Sequence, residues 1–242
     1  AFLIMYIFWS KNMKNLRNFL LGTLLFVSTL ANAEIAEVYS YKSNPGDGAR
    51  MIENMVEAAS IQRELGAHVT INALDVGSQQ QIDYVVRFDS TEAWGSIRDK
   101  LQASDKWNDF QARIAENPSG NLELSFAAIN IDQTTTSSSF SNSGVYGVWV
   151  WEVTNGKLPE VLENFAKAKT IHEKLGARIE YYSEGLGLPN TLHYVAFFDT
   201  WSEMADFLSK AATDQELLTF QSGVDPNSAS LVRQITGRTL PL

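Results

Sequence analysis

Leu65-Gly66-Ala67, Tyr84-Val85, Phe88-Asp89 and Phe110-Gln111 recur, in the same order and at a constant offset of 110 residues, as Leu175-Gly176-Ala177, Tyr194-Val195, Phe198-Asp199 and Phe220-Gln221. Residues 38–111 align with 148–221 without a gap, and Glu53-Asn54, Ala58, Ile61 and Gly77 also find identical residues at 163, 164, 168, 171 and 187. Self-similarity at a fixed period means one structural unit built more than once. A unit built twice in one chain makes an internal dimer. The chain therefore divides into a first repeat at 34–131, a Ser/Thr-rich linker at 132–143 (DQTTTSSSFSNS) and a second repeat at 144–242. A dozen extended residues span about 40 Å, enough to join the two units.

Each repeat reads as strand, helix, strand, strand, helix, strand. In the first, Ile35–Ser43 is β-rich, and Pro45-Gly46-Asp47-Gly48 is a turn with Asp47 placed to cap a helix. Met51, Ile52, Met55, Val56, Ala59 and Leu65 follow at helical spacing. Gly66 sits where the chain leaves a helix with positive φ. Strands are expected at Ala67–Leu74 and Ile82–Phe88, and a helix capped by Ser90 or Thr91 carries Trp94, Ile97 and Leu101. A short helix around Asp105–Ala115 and a strand at Leu122–Ile129 complete the unit. The second repeat runs in the same order, with strands at Val145–Val153, Ala177–Ser183, Thr191–Phe198 and Ser230–Ile235. This is a ferredoxin-like α+β unit, whose antiparallel sheet carries both helices on one face. The other face is bare, and the second sheet, tethered in the same chain, is the natural cover.

Ahead of the repeats, Lys14 and Arg17 precede an apolar run, Phe19–Leu30, and a small-residue site, Ala31-Asn32-Ala33. That is the layout of a secretory signal peptide starting at Met13. The apolar run is shorter than the roughly 20 residues a membrane span needs. Residues 1–12 read as upstream sequence translated in frame. Cleavage after Ala33 predicts an exported protein, periplasmic or secreted, with no membrane attachment once the leader is gone. The net charge of −9 gives no electrostatic footprint for nucleic acid. There is no cysteine, which removes disulfides and thiolate metal sites and suits a bacterial periplasm.

The glycine turns at Gly46 and Gly156, the two Leu-Gly-Ala helix ends, the Phe88-Asp89-Ser90 and Phe198-Asp199-Thr200 steps and the acidic helices ending in Phe-Gln together carry a family likeness. With them the chain resembles the dimeric α+β-barrel superfamily, and in particular the antibiotic-biosynthesis-type monooxygenase domains. The resemblance covers both repeats. It implies a barrel formed where two sheets meet, here within one chain, and an activity of the cofactor-independent monooxygenase kind. Haem-degrading members of the superfamily keep an Asn, a Trp and a His at set places. By the resemblance these fall on Tyr39 and Trp149, on Phe88 and Phe198, and on Gln111 and Gln221, so none of the three is kept in either repeat.

Among the residues themselves, Tyr39 and Tyr41 share one face of the first strand, and Trp149 and Trp151 occupy the matching places in the second repeat. They form either an aromatic wall around a ligand or a filled inter-sheet core. Gln111 and Gln221 are candidate amide donors to a ligand, or helix-end amides meeting backbone and solvent. Arg178 is a candidate carboxylate clamp, and with Arg87 and Glu180 it is otherwise a strand-borne charge in need of a partner. The histidines His68, His172 and His193 are unrepeated, the last matching Asp83. None shows metal-ligand spacing, and no cofactor is expected. Gly185-Leu186-Gly187-Leu188 is a hairpin, not a phosphate loop.

Three functions fit these residues: a binder of a small apolar or aromatic molecule, a monooxygenase-like enzyme, and a structural protein with a filled barrel. The ligand-binding candidates are Tyr39, Tyr41, Phe88, Gln111, Trp149, Trp151, Arg178, His193, Phe198 and Gln221.

Overall fold

A computed structural model describes residues 33–78, 80–140 and 144–241. The leader and the upstream segment lie outside the described residues, apart from Ala33. Eight strands form one closed antiparallel barrel: β1 (Ile35–Ser43), β2 (His68–Leu74), β3 (Ile82–Phe88), β4 (Gly120–Asn130), β5 (Val145–Val153), β6 (Arg178–Leu186), β7 (Thr191–Phe198) and β8 (Ala229–Thr239). Around the barrel the order is β1-β3-β2-β8-β5-β7-β6-β4. The first repeat contributes β4-β1-β3-β2 and the second β8-β5-β7-β6, so the halves are joined by β2 with β8 and by β4 with β6. Closure removes every sheet edge.

Among the described residues, six helices lie outside the barrel: α1 (Gly48–Glu64), α2 (Thr91–Gln102) and α3 (Asp105–Glu116) over the first sheet, and α4 (Leu158–Lys174), α5 (Trp201–Ala211) and α6 (Gln215–Ser222) over the second. Met51, Met55, Ala58, Ala59 and Ile61 of α1, and Val161, Phe165, Ala168 and Ile171 of α4, bury the stripe expected from their spacing. Gly66 and Gly176 end these helices with φ of 103° and 106°, a conformation that only glycine adopts without strain. Ser90 caps α2, accepting from the Ala93 amide at 3.1 Å, and Thr200 does the same for α5. Such caps are worth about 1 kcal/mol each. Asp47 precedes α1 but makes no capping bond; its carboxylate is drawn to Arg50 at 2.8 Å instead.

Two consequences of the pleat matter for the site. On β1, Ile35, Tyr39 and Tyr41 point outward under the helices, while Ala36, Val38 and Ser40 point inward. On β5, Trp149 and Trp151 likewise pack beneath the helices, and Val148 and Val150 face the lumen. The Trp149 ring lies over Gly147, where a Cβ would stand 2.9 Å from the indole. That explains a glycine inside a strand.

The segment between the repeats is more than a tether. A 3-10 turn at Ser137–Phe140 buries Ser137 and Phe140 across one end of the barrel. Phe140, 1% exposed, meets Phe197 at 5.4 Å between centroids, with the Arg87 guanidinium 3.7 Å above its ring. The Ser137 amide donates to Asp89 at 2.8 Å, and Thr135 donates to Glu180 at 2.9 Å, so both repeats hold the plug.

Candidate functional site

The inward faces of the two sheets enclose a cavity of about 730 Å³. The barrel is therefore not filled. Its wall is mostly apolar, with Val38, Val85, Val148, Val150, Val195 and Ile235 at its middle. Phe140, Phe197 and Tyr146 close it at the plugged end. At the other end exposed Leu124, Leu188 and Val232 line the opening, with Leu186 and Val76 exposed on the hairpins beside it. Large exposed apolar side chains gathered at one place mark a surface with a use.

Polar groups enter this wall at a few points. His193 on β7 is buried, and its Nε2 lies 2.8 Å from Glu184 Oε1 on the adjoining β6. The Phe126 ring stacks on the imidazole at 4.6 Å and 7°. With a carboxylate accepting from Nε2–H, the lone pair of the neutral ring is on Nδ1. No protein group among the described residues hydrogen-bonds that atom. Asp83 on β3 also faces the lumen, bonded to the Ser40 hydroxyl at 2.5 Å. Burial raises the Asp83 carboxyl above its usual range, against the opposing pull of Ser40, Arg233 and His193. Thr70, Asn72 and Thr239 form a second polar group in the wall, with Asn72 donating to Thr70 at 3.3 Å and accepting from Thr239 at 3.0 Å.

Beneath the plug lies a denser network. Arg87 pairs with Glu34 at 2.7 Å and donates to the Tyr182 hydroxyl at 3.0 Å. Asn130 donates to both Glu34 and Glu180 at 3.2 Å. Burial raises the Glu180 carboxyl, although Asn130, Lys169 and Thr135 favour its charge. These groups bond to one another and to the linker, with the buried Nε of Arg87 left without a hydrogen-bond partner, and together they hold this end shut.

The sequence-derived candidates scatter. His193 lines the cavity. Tyr39, Tyr41, Trp149 and Trp151 do not; they sit on the opposite face of the same strands. Their polar tips are used there, as when the Tyr39 hydroxyl donates to Glu37 at 2.9 Å. Burial and the nearby Glu37 carboxylate push the Tyr39 phenol up to about 12. Phe88 and Phe198 belong to the helix-side cores. Gln111 and Gln221 are exposed on α3 and α6, outside the barrel. Arg178 packs against the plug, over the rings of Phe197 and Phe140, and donates to the Ser139 carbonyl. His172 lies in the helix-side core, its Nδ1 2.8 Å from the Tyr194 hydroxyl. Asp83, Glu184, Ser40 and Phe126 were not singled out in the sequence. The usable signal for Asp83 was its match to His193; for Phe126 there was none.

Among the described residues, no group of three or more His, Cys, Asp or Glu is placed to hold a metal, and no helix is long and apolar enough to cross a membrane.

No protein-family model matches this sequence, and no curated protein does. Solved structures do resemble it. A provisionally assigned monooxygenase from Fusobacterium nucleatum is 12% identical with a TM-score of 0.60, over 86% of this chain and 93% of that one. Another, from Lactobacillus acidophilus, is 10% identical with a TM-score of 0.58, over 86% and 93%. An anthrone oxidase-like protein is 11% identical with a TM-score of 0.53, over 87% and 92%. At such identities the likeness speaks for the fold and not for the chemistry. Two tandem ferredoxin-like halves closing one eight-stranded barrel give this chain the dimeric α+β-barrel fold, with both halves of the dimer in a single polypeptide.

Proposed function

We propose that the protein binds a small, largely apolar molecule inside its barrel. The observation that carries this reading is the lumen itself, about 730 Å³, walled by valines and shut at one end. That volume lies within the roughly 300–1,000 Å³ of small-molecule sites, and apolar walls with a few polar groups are their usual composition. The apolar opening at Leu124, Leu188 and Val232 offers a dry path for such a ligand. Binding would take place outside the cytoplasm, on the expectation drawn from the Met13–Ala33 leader; finding the protein in the cytoplasmic fraction would remove that part of the reading.

The test is native mass spectrometry of the protein purified after periplasmic expression, together with titration by the neutral fluorophore N-phenyl-1-naphthylamine. Val195→Trp places an indole in the middle of the lumen. The expected result is a discrete adduct or saturable fluorophore uptake in the wild type, reduced at least tenfold in Val195→Trp. A bare protein that takes up no fluorophore, or uptake unchanged by Val195→Trp, refutes the reading.

A further inference from the structure

The two repeats place different groups at one equivalent point of the lumen. Asp83 pairs with Ser40 across β3 and β1, and His193 pairs with Val150 across β7 and β5, at matching positions of the two registers. In the strand order β1-β3-β2-β8-β5-β7-β6-β4, β3 and β7 are four places apart in a ring of eight, so they form opposite walls. Both side chains line the cavity. At this equivalent point each half thus places one proton-transfer group on the lumen wall, and the two groups are of different kinds.

We propose that the lumen is a proton-transfer site, in which His193 and Asp83 act from opposite walls on a bound apolar ketone to form its enol and move its double bond. The proposal rests on the binding reading above and adds a reaction to it. His193 is prepared as the base. Glu184 accepts from Nε2–H at 2.8 Å and Phe126 stacks on the ring, which fixes both tautomer and orientation and leaves Nδ1 to take a proton. Asp83 is prepared as the acid. Burial raises its carboxyl above the usual range, and in its protonated form it can donate a hydrogen bond to a carbonyl oxygen. Ser40 holds it in place at 2.5 Å.

A base facing a proton donor across an apolar gap suits one class of ligand: a molecule with a weakly acidic C–H next to a hydrogen-bond acceptor. In an uncharged apolar molecule that is a carbonyl with a hydrogen on its α carbon. The step balances without an oxidant or a co-reactant. The α C–H bond breaks, its proton goes to Nδ1 of His193, and its electron pair becomes the enol C=C. The carbonyl π pair takes the proton of Asp83. In a β,γ-unsaturated ketone the return step gives the His193 proton to the γ carbon, while the enol proton goes back to Asp83. The product is the α,β-unsaturated isomer.

The test uses 1-tetralone and 1-decalone in D₂O with the full protein. Proton NMR reads deuterium uptake at the α carbon, and saturation-transfer NMR reads binding in the same sample. Positioned acid–base groups contribute about 10²–10⁴-fold, so the expected result is exchange on the order of 10² above buffer. His193→Gln and Asp83→Asn are each expected to lower exchange at least tenfold while binding persists. The two variants guard against a fold defect in either one. Glu184 acts through His193 and is a positioning residue; Glu184→Gln is expected to slow exchange less than His193→Gln, with ketone affinity unchanged. Ketone binding with exchange at the buffer rate overturns the proposal and leaves the binding reading standing. Exchange that survives both substitutions overturns the assignment of His193 and Asp83. If neither ketone binds, the ketone class and this proposal fail, and the fluorophore titration decides separately whether the lumen binds anything.

Discussion

Phe140→Ala asks whether the segment between the repeats is a fixed plug. A phenylalanine side chain removes about 150–250 Å² from water, worth roughly 4 kcal/mol at the lower bound and about 25 cal/mol/Å². Phe140 is 1% exposed, so nearly all of this is realised. The Arg87 guanidinium 3.7 Å above the ring adds a cation–π contribution of about 1 kcal/mol. Against this, the vacated space adjoins an open lumen, and water can enter it, so the void is not a sealed cavity. The expected loss is about 3 kcal/mol, at the low end of measured Phe→Ala costs. For a chain of this size that is a fall in Tm of about 6–12 °C. Urea denaturation followed by tryptophan fluorescence, with calorimetry beside it, gives both numbers. Gln133→Ala, an exposed position in the same linker, is the control and should stay within about 0.5 kcal/mol of wild type. A Phe140→Ala loss below about 1 kcal/mol would refute the plug, because the linker would then be a tether that merely rests on the barrel.

Arg87→Ala strips the partner from buried Glu34 and should cost about 3–5 kcal/mol, whereas the double change Arg87→Met with Glu34→Gln should recover much of it; equal damage from both would show that the charge pair is not the issue. Burial lowers the pKa of His68 and His172 below 6.5, so their contribution to stability is present above pH 6.5 and is lost as pH falls below it. His172→Gln should therefore flatten part of the acid-side loss, read from urea midpoints between pH 7 and pH 5; an unchanged slope would show that His172 takes no part. Asp83 has the opposite linkage: its raised carboxyl contributes stability below pH 3.8 that is lost as pH rises through its folded value. Asp83→Asn should thus gain on the wild type as pH increases, and a stability difference independent of pH would contradict a buried, reluctant acid at this position.

How far the sequence could be read depended on what local patterns encode. The repeat and the helical stripes from Met51 to Leu65 follow from neighbouring residues alone, because hydrophobic period and turn chemistry are local properties. Gly66 and Gly176 were legible for the same reason. The alternation on β1 was also visible, and it correctly puts Tyr39 and Tyr41 on one face. What alternation cannot say is which face meets helices and which meets the other sheet, since both are apolar in a closed barrel. The structure turns these rings outward and gives the lumen to Ala36, Val38 and Ser40. Phe140 was hidden in a different way: one aromatic among serines and threonines has no period, and only the approach of Arg87 and Phe197 from distant strands makes its place.

The sequence by itself determined a doubled ferredoxin-like unit, an acidic chain without cysteine and the mismatch of Asp83 with His193 between the copies. Only the tertiary structure decided that those two groups enter one shared lumen, that Glu184 and Phe126 fix the imidazole, and that the linker seals the far end. The physical reason is barrel closure. A strand's pleat is set by its own backbone, but the partner of each inward side chain comes from another strand, at a height fixed by the register of all eight.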